Sequence, residues 1–401
     1  MDPRERAFAH ELTYGTTRFR GRLDHLLARH VHRGMAELDP VVLEVLRLGA
    51  YQLLYMNSVP PYAAVSQSVE QVRTDGGAGP AGLVNAVLRK VGDAGDSMDL
   101  FPDFDRDPAG FLATWGSHPR WLIDRWLGRW DAGAVRWLVA ANNGRPSLYL
   151  VPLDVEPADA VSALATADLS ADLVELGTRC IRLGPGVGPA AALAVLPHAI
   201  AQDPAANLVV AYADVPTGTK VADLCAAPGG KALAVSDRPL HTLAVDRSEA
   251  RLRMVRDNAA RTERTIGLVV ADARRPPLRE VDVVLLDALC SGTGTLSRRP
   301  DARWRLRPQS IGDLAALQAE MLSAAADVVA RGGLLIYSTC ALEPEENEEQ
   351  VEAFLSKRQD FRIEPTGAVP ARYVDSRGQL VVTPQDSGFD GAFAARLRRA
   401  Q

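Results

Sequence analysis

VVLLDALCSGTG, Val283–Gly294, decides how the C-terminal half of this 401-residue chain is read. The unbroken Val-Val-Leu-Leu is the pattern of a strand buried on both faces, as in parallel sheets covered by helices. Just past it come an acid, Asp287, and a thiol, Cys290, in a loop of small residues. The pattern returns in GGLLIYSTCALEPEENE, Gly332–Glu348, where a second apolar strand runs out onto Cys340. Between them QSIGDLAALQAEMLSAAADVVAR, Gln309–Arg331, has helical spacing.

Upstream the alternation continues. KVADL (Lys220–Leu224), HTLAVD (His241–Asp246) and IGLVVAD (Ile266–Asp272) read as strands, with SEARLRMVRDNAAR (Ser248–Arg261) as a helix among them. Strand, loop and helix in repetition predict a doubly wound parallel sheet with right-handed crossovers. Ligands in that architecture bind beyond the carboxyl ends of the strands. The residues there are DLCAAPGGK (Asp223–Lys231), Asp246, Asp272, Asp287 with Cys290, and Ser338-Thr339-Cys340.

A lone acid after a strand is commonly a helix cap, and one Gly-Gly is commonly a turn. Four acids, a glycine loop and two thiols on one edge are harder to dismiss. The loop is not GxGxxG, which counts against a dinucleotide and its pyrophosphate. Asp246 stands where a ribose-binding carboxylate belongs, and Asp272 is suited to an adenine amino group. An acid-lined nucleoside site without a phosphate clamp fits a cationic sulfonium cofactor, S-adenosylmethionine. Thiols have a use beside such a cofactor. A pyrimidine C5 carbon becomes nucleophilic only after a thiolate adds at C6, and an acid that engages N3 stabilises the charge that develops. Asp287 and one of the cysteines supply that pair. Buried apolar thiols are the bland alternative, since free cysteine is among the most buried residue types.

The rest of the chain sets bounds. With 47% hydrophobic and 24% charged residues it is an ordinary globular composition, and the length calls for two or three domains. MDPRERAFAHEL at the start has no apolar core, and no run is long enough for a bilayer, so a cytoplasmic protein with no membrane association is expected. The four cysteines, Cys180, Cys225, Cys290 and Cys340, form no CxxC pair, so neither a metal site nor a disulfide framework is expected. Net charge is -5, yet five arginines fall between Arg18 and Arg33 (18, 20, 22, 29, 33) and five between Arg298 and Arg307. These clusters are candidates for phosphate contacts, against the commoner reading of solvated faces.

Residues 1–140 read as all helix, as in LDPVVLEVLRLGAYQLLYM (Leu38–Met56), with breaks at Val59-Pro60-Pro61 and Asp75-Gly76-Gly77. Trp126, Trp130 and Trp137 are expected on one helical face as packed core. Residues 141–210 mix short strands, SLYLVPL (Ser147–Leu153) and CIRLGPG (Cys180–Gly186), with alanine-rich helices, and read as a small α+β linker domain. Residues 211–401 form the α/β Rossmann-like domain.

DLCAAPGGK, DALCSGTG, RRPDARW (Arg298–Trp304), YSTC with LEPEENE, and SGFDGAFAARL (Ser387–Leu397) together resemble the Sun/RsmB branch of the RNA cytosine-C5 methyltransferases. LTYGTTRFRGRLD (Leu12–Asp24) and GLVNAVLRKV (Gly82–Val91) resemble its NusB-like RNA-binding domain, so the resemblance covers nearly the whole chain. It implies Cys340 as nucleophile, Cys290 as the group that assists product release, and Asp287 on the base. It also implies a cofactor site made by Cys225, Ala226, Ala227, Pro228, Gly229, Gly230, Lys231, Asp246, Arg251, Asp272 and Asp287. The substrate implied is ribosomal RNA, of the small subunit, methylated by a monomer. Two positions depart from the pattern: Leu289 stands where proline usually precedes the loop cysteine, and Gln385 where histidine is common. A decayed RNA-binding protein would have lost Cys340, Asp287 or the glycine loop, and an NAD-dependent oxidoreductase would show GxGxxG; neither fits.

Overall fold

Asp2, Asp39, Asp107 and Asp131 each cap a helix with a side-chain oxygen, and Pro follows at the start of three of those helices. These signals punctuate the N-terminal third. A computed structural model of the chain describes residues 2–32, 34–76, 78–174 and 177–401. Two compact units result, one of residues 1–144 with 296–306, the other of residues 145–295 with 307–401.

The first unit is helical. Pro3–Arg18, Arg20–Ala28, Pro40–Tyr55, Pro61–Gly76 and Ala78–Ala94 bury Leu23, Leu27, Leu46, Val84 and Leu88 in one core. Pro108–Thr114, Arg120–Leu127 and Ala132–Asn143 complete it. The expected tryptophan face does not form. Trp126 and Trp137 sit on different helices, because the chain breaks over Gly128–Asp131; Trp126 is 1% exposed and Trp137 71%.

The segment 296–306 belongs to this unit through Arg303, which is fully buried. Its guanidinium donates to the carbonyls of Arg18, Ser117, Asn142 and Leu296 and to Asn143 Oδ1. Burial and the charge of Arg18 pull its pKa down to about 9. The two arginine clusters named as candidates for phosphate contacts are therefore only partly available to a ligand. Arg18, Arg22 and Arg303 are buried, Arg22 stacking on Trp115 at 3.7 Å and donating to its carbonyl. Arg29, Arg299, Arg305 and Arg307 remain exposed, and Arg33, like Gly77 of the predicted break, lies outside the described residues.

The second unit holds two sheets. Strands β1 (Tyr149–Pro152), β2 (Ala171–Leu173), β3 (Ile181–Leu183) and β4 (Ala199–Ala201) form an antiparallel sheet in the order β2-β3-β1-β4. The helix Pro204–Ala213, most of which the sequence counts with this small domain, buries Leu208 and Tyr212 against Leu380 and Val382 of the large sheet's antiparallel side and Phe389 of the loop before its last strand.

The large sheet comprises β5 (Lys220–Asp223), β6 (His241–Asp246), β7 (Gly267–Val270), β8 (Val281–Asp287), β9 (Val329–Thr339), β10 (Phe361–Ile363), β11 (Leu380–Val382) and β12 (Ala392–Arg399). Its order is β10-β12-β9-β8-β5-β6-β7, with β11 also paired to β12. Strands β5 to β9 are parallel as predicted, but β12 runs antiparallel to β9, so the sheet is mixed rather than all parallel. AFAARLRR carries no strand signal by propensity. It becomes one because Ala394 and Ala395 are small enough to be buried on both faces, while Glu364 pairs with Arg396 at 2.6 Å and Arg398 at 2.7 Å.

Candidate active site

The order places β5 beside β8 at the centre, with chain connections leaving in opposite directions. This is the switch point at which a doubly wound sheet opens a crevice. Asp223 ends β5 and is 1% exposed. One of its oxygens accepts from the Cys225 amide at 3.2 Å and the other, Oδ2, has no partner. Burial, with the charge of Asp287 second, raises its carboxyl to about 7.

The glycine loop folds back over the strand ends. Ala226 N donates to Val245 O at 3.0 Å, and Gly229, at φ +107°, turns the chain into the helix Gly230–Val235. Only glycine adopts that angle without strain, and a Cβ there would lie 3.2 Å from Val255. A Cβ on Gly230 would lie 3.2 Å from the Gln202 amide. Gln202, just past β4, is thus a site neighbour that the sequence does not single out; a lone Gln-Asp pair carries no pattern.

Asp246 ends β6 almost fully buried. It accepts from Ser248 N at 2.9 Å and Ala227 N at 3.4 Å, and Arg251 lies 3.4 Å away while donating to Ala227 O at 2.5 Å. Asp246, Arg251 and the glycine loop are one assembly. Asp272 is different. It lies past β7, partly exposed, in an ion pair with Arg274 at 2.8 Å, whose hydrogen bonds hold its carboxyl at about 2. The structure brings its loop to β6 through Ala271 N to Asp246 O at 3.2 Å, but joins its carboxylate only to arginine-lined surroundings.

Asp287 ends β8, where its register partner on β9 is Ser338. Lys231 Nζ lies 2.6 Å from Asp287 Oδ2, and Ser338 Oγ donates to Oδ1 at 2.9 Å. Burial alone would lower the Lys231 ammonium, but the charge and hydrogen bond of Asp287 outweigh it and hold the pKa above its ordinary value. Beyond this pair Cys290 and Cys340 meet, Sγ to Sγ at 3.3 Å, and Cys340 N donates to Cys290 Sγ at 3.4 Å. The bond with Cys340, followed by burial, pushes the Cys290 thiol well up. Burial pushes Cys225 and Cys180 up as well, and neither meets a second thiol.

Two glycines let the loops close. The Cα atoms of Gly294 and Gly391 are nearly in contact, since a Cβ on either would come within 2.7 Å of the other's Cα. Gly391 N donates to Gly294 O at 2.7 Å, and Gly294 N to Cys340 O at 3.0 Å. The C-terminal SGFDG segment thereby braces the thiol loops.

A mixed sheet with acids, a glycine loop and thiols along its carboxyl edge, in a chain that begins with a helical domain, defines a methyltransferase with an appended helical module. The comparisons agree. Residues 212–398 match the family model for 16S rRNA methyltransferase RsmB/F, and residues 1–93 that of the NusB family. The chain is 33% identical over 422 residues to a probable ribosomal RNA small subunit methyltransferase B of Synechocystis sp., covering 100% of this chain and 92% of that protein. It is 32% identical over 417 residues to ribosomal RNA small subunit methyltransferase B of Yersinia pseudotuberculosis, covering 99% and 91%. The solved structure of PH0851 shares the fold with a TM-score of 0.82 at 23% identity, over 99% of this chain and 91% of that one. NSun6 from Pyrococcus horikoshii, solved with SFG, gives a TM-score of 0.58 at 18% identity, over 68% and 96%. The chain belongs to the ribosomal RNA small subunit methyltransferase B family and is a methyltransferase. Among the described residues no helix is long and apolar enough to cross a membrane.

Proposed function

We propose that this protein methylates C5 of a cytosine in small-subunit ribosomal RNA, using S-adenosylmethionine, through a covalent adduct between Cys340 and C6. The observation that carries the reading is the pair of sulfurs 3.3 Å apart beside the Lys231–Asp287 ion pair. An oxygen or nitrogen acceptor needs only a positioned lone pair, whereas C5 needs a nucleophile and a separate means of release.

S-adenosylmethionine, when bound, supplies an electrophilic methyl group on a sulfonium. The residues at the strand ends fit it. The buried Asp246 at the end of β6 suits a ribose, the side-chain-free surface at Gly229 suits the methionine end, and Asp223 keeps an unpartnered buried oxygen beneath the loop. Asp272 is assigned to the adenine amino group, which requires its carboxylate to take a donor in addition to Arg274.

Cys340 Sγ adds to C6 of the cytosine and the ring electrons move toward N3. Asp287 takes hydrogen bonds from the base, and Lys231 Nζ donates to that carboxylate at 2.6 Å. C5, now enamine-like, accepts the methyl group. Release requires that the C5 proton leave and the C6–S bond break: Cys290 gives its proton to the departing Cys340 sulfur across the 3.3 Å contact and, as thiolate, takes the proton from C5, so that both thiols are regenerated. The exposed arginines 29, 299, 305 and 307 are assigned to RNA phosphates.

Denaturing gels with an rRNA substrate and S-adenosylmethionine test the roles. Cys290→Ala should accumulate a protein–RNA adduct, and Cys340→Ala and the double variant should show none. An adduct that survives loss of Cys340 and vanishes with loss of Cys290 would reverse the assignment. Bisulfite sequencing of ribosomal RNA from cells with and without the gene identifies the nucleotide.

A further inference from the structure

Two adjacent residues bracket the two thiols. Glu346 is fully buried, and no lysine or arginine among the described residues pairs with it. One of its oxygens accepts from Ser291 N at 2.8 Å and Gln318 Nε2 at 2.9 Å, and the other accepts from Ser291 Oγ. The same Gln318 amide donates to Leu289 O at 2.9 Å. Both neighbours of Cys290, Leu289 and Ser291, are therefore held from one buried cluster. Tyr337 closes it, its hydroxyl 2.6 Å from Glu346 O and 3.2 Å from Gln318 Oε1.

Asn347 does the same for the other thiol. Thr339 Oγ1 donates to Asn347 Oδ1 at 2.5 Å, and Asn347 Nδ2 donates to Ala341 O at 2.9 Å. Both neighbours of Cys340 are held by a side chain next in sequence to the one that holds Cys290's neighbours. We propose that Glu346 and Asn347 form a positioning clamp that sets Cys290 against Cys340 for adduct release, a role that rests on the two-thiol reading above.

The carboxylate gives these bonds their charge. Three donors converge on two oxygens; in glutamine the remaining oxygen would keep the two N–H donors as neutral bonds, and the NH₂ would face Ser291 Oγ, which would have to stop donating and accept instead. Burial raises the Glu346 carboxyl, while the bonds from Ser291 and Gln318 favour its charged form. Gln318 also supplies the restraint missing where Leu289 replaces proline, by fixing the Leu289 carbonyl. A charged Glu346 close to Cys290 further disfavours its thiolate, in addition to the larger effects of Cys340 and burial. The clamp thus keeps Cys290 placed and protonated while Cys340 is the sulfur that attacks.

Glu346→Gln and Asn347→Ala are the primary variants, with Ser291→Ala as a milder one that removes only the hydroxyl bond. Calorimetric S-adenosylmethionine affinity and thermal melting report on folding. Glu346→Gln should slow adduct decay by about tenfold, the equivalent of one lost charged hydrogen bond, so that the gel-trapped adduct rises toward the Cys290→Ala level. Asn347→Ala should lower adduct formation instead. Iodoacetamide labelling of Cys290, followed by mass spectrometry across pH, should move to lower pH in Glu346→Gln without any reaction taking place. If Cys290→Ala traps adduct while Glu346→Gln and Ser291→Ala decay and label as wild type does, the clamp is overturned and the two-thiol reading stands. If Cys290→Ala traps nothing, the two-thiol reading itself fails, and the labelling shift alone then decides whether Glu346 governs Cys290.

Discussion

Replacing Asp223 by asparagine should make the apoprotein's stability less sensitive to pH, with a size set by the site. The folded carboxyl sits at about 7 against 3.8 when unfolded. Because the folded value is the higher one, the folded state keeps a proton that the unfolded chain gives up over that interval. Its contribution is therefore fully present below 3.8 and is lost as pH rises through about 7. Near pH 5 the loss is about 2 kcal/mol, and above pH 7.5 it levels off at about 4 kcal/mol, since a tenfold difference in proton affinity between the two states is worth about 1.4 kcal/mol. Asparagine has no proton to lose, and its Oδ1 can keep the bond from Cys225 N. Between about pH 5 and about pH 8, Asp223→Asn should gain on wild type by roughly 2 to 3 kcal/mol. Urea unfolding of both proteins without cofactor, at matched ionic strength across that range, measures it. A stability difference that does not change with pH would mean that Asp223 ionises at its ordinary value and that burial beside Asp287 does not govern its proton.

Asp246→Ala should weaken S-adenosylmethionine by one or two charged hydrogen bonds, on the order of 1.5 to 3 kcal/mol each; unchanged affinity by calorimetry in a folded variant removes Asp246 from the cofactor site. Gly294→Ala places a Cβ 2.6 Å from Gly391 Cα and 2.7 Å from Cys340 O, so it should abolish methylation while cofactor affinity persists, and full activity would show that the loops need no close approach. Arg303→Met strands the buried acceptors of Arg18, Ser117, Asn142, Asn143 and Leu296, a loss partly offset by relief of a desolvated cation, and should cost about 2 to 4 kcal/mol in chemical denaturation of the helical unit. Neutralising Arg299, Arg305 and Arg307 together should lower the slope of log affinity against log salt by about 2 for a single-stranded RNA, and a slope equal to wild type would return these residues to a solvated face.

The parallel core is legible because its strands are apolar runs that each end on an acid or a thiol, a period and a punctuation that survive without tertiary information. What escapes is decided by partners distant in sequence. AFAARLRR carries no strand propensity, and its arginines find their partner only when Glu364 is placed beside them. RRPDARW reads as a basic patch, yet Arg303 is the anchor of its segment, and nothing local distinguishes an arginine that will meet five oxygens from one that will meet water. Glu346 is hidden in a run of acids for the same reason. Trp137 fails in the other direction, because a break of four residues between two helices rotates it out of the face that Trp126 occupies.

The two thiols differ because of what surrounds them, since their side chains are identical and their sulfurs touch. Cys290 Sγ accepts the amide of Cys340, faces the charge of Glu346, and is pushed up chiefly by its bond to Cys340. The contact between the sulfurs is symmetric, since either can donate, so it is the charge of Glu346 that disfavours a thiolate on Cys290, against the amide, which works the other way. Lys231, held protonated by Asp287, feels the Cys340 sulfur as well, so a cation stands on the side of Cys340 and an anion on the side of Cys290. Moving the nucleophile to Cys290 would require the thiolate to form beside Glu346 and away from Lys231. The arrangement therefore favours attack by Cys340, and a Lys231→Met variant, which removes the cation and leaves Asp287 uncompensated, should raise the pH at which adduct first forms in the Cys290→Ala background. Adduct formation with an unchanged pH midpoint in that double variant would show that the choice between the sulfurs does not come from this charge pattern.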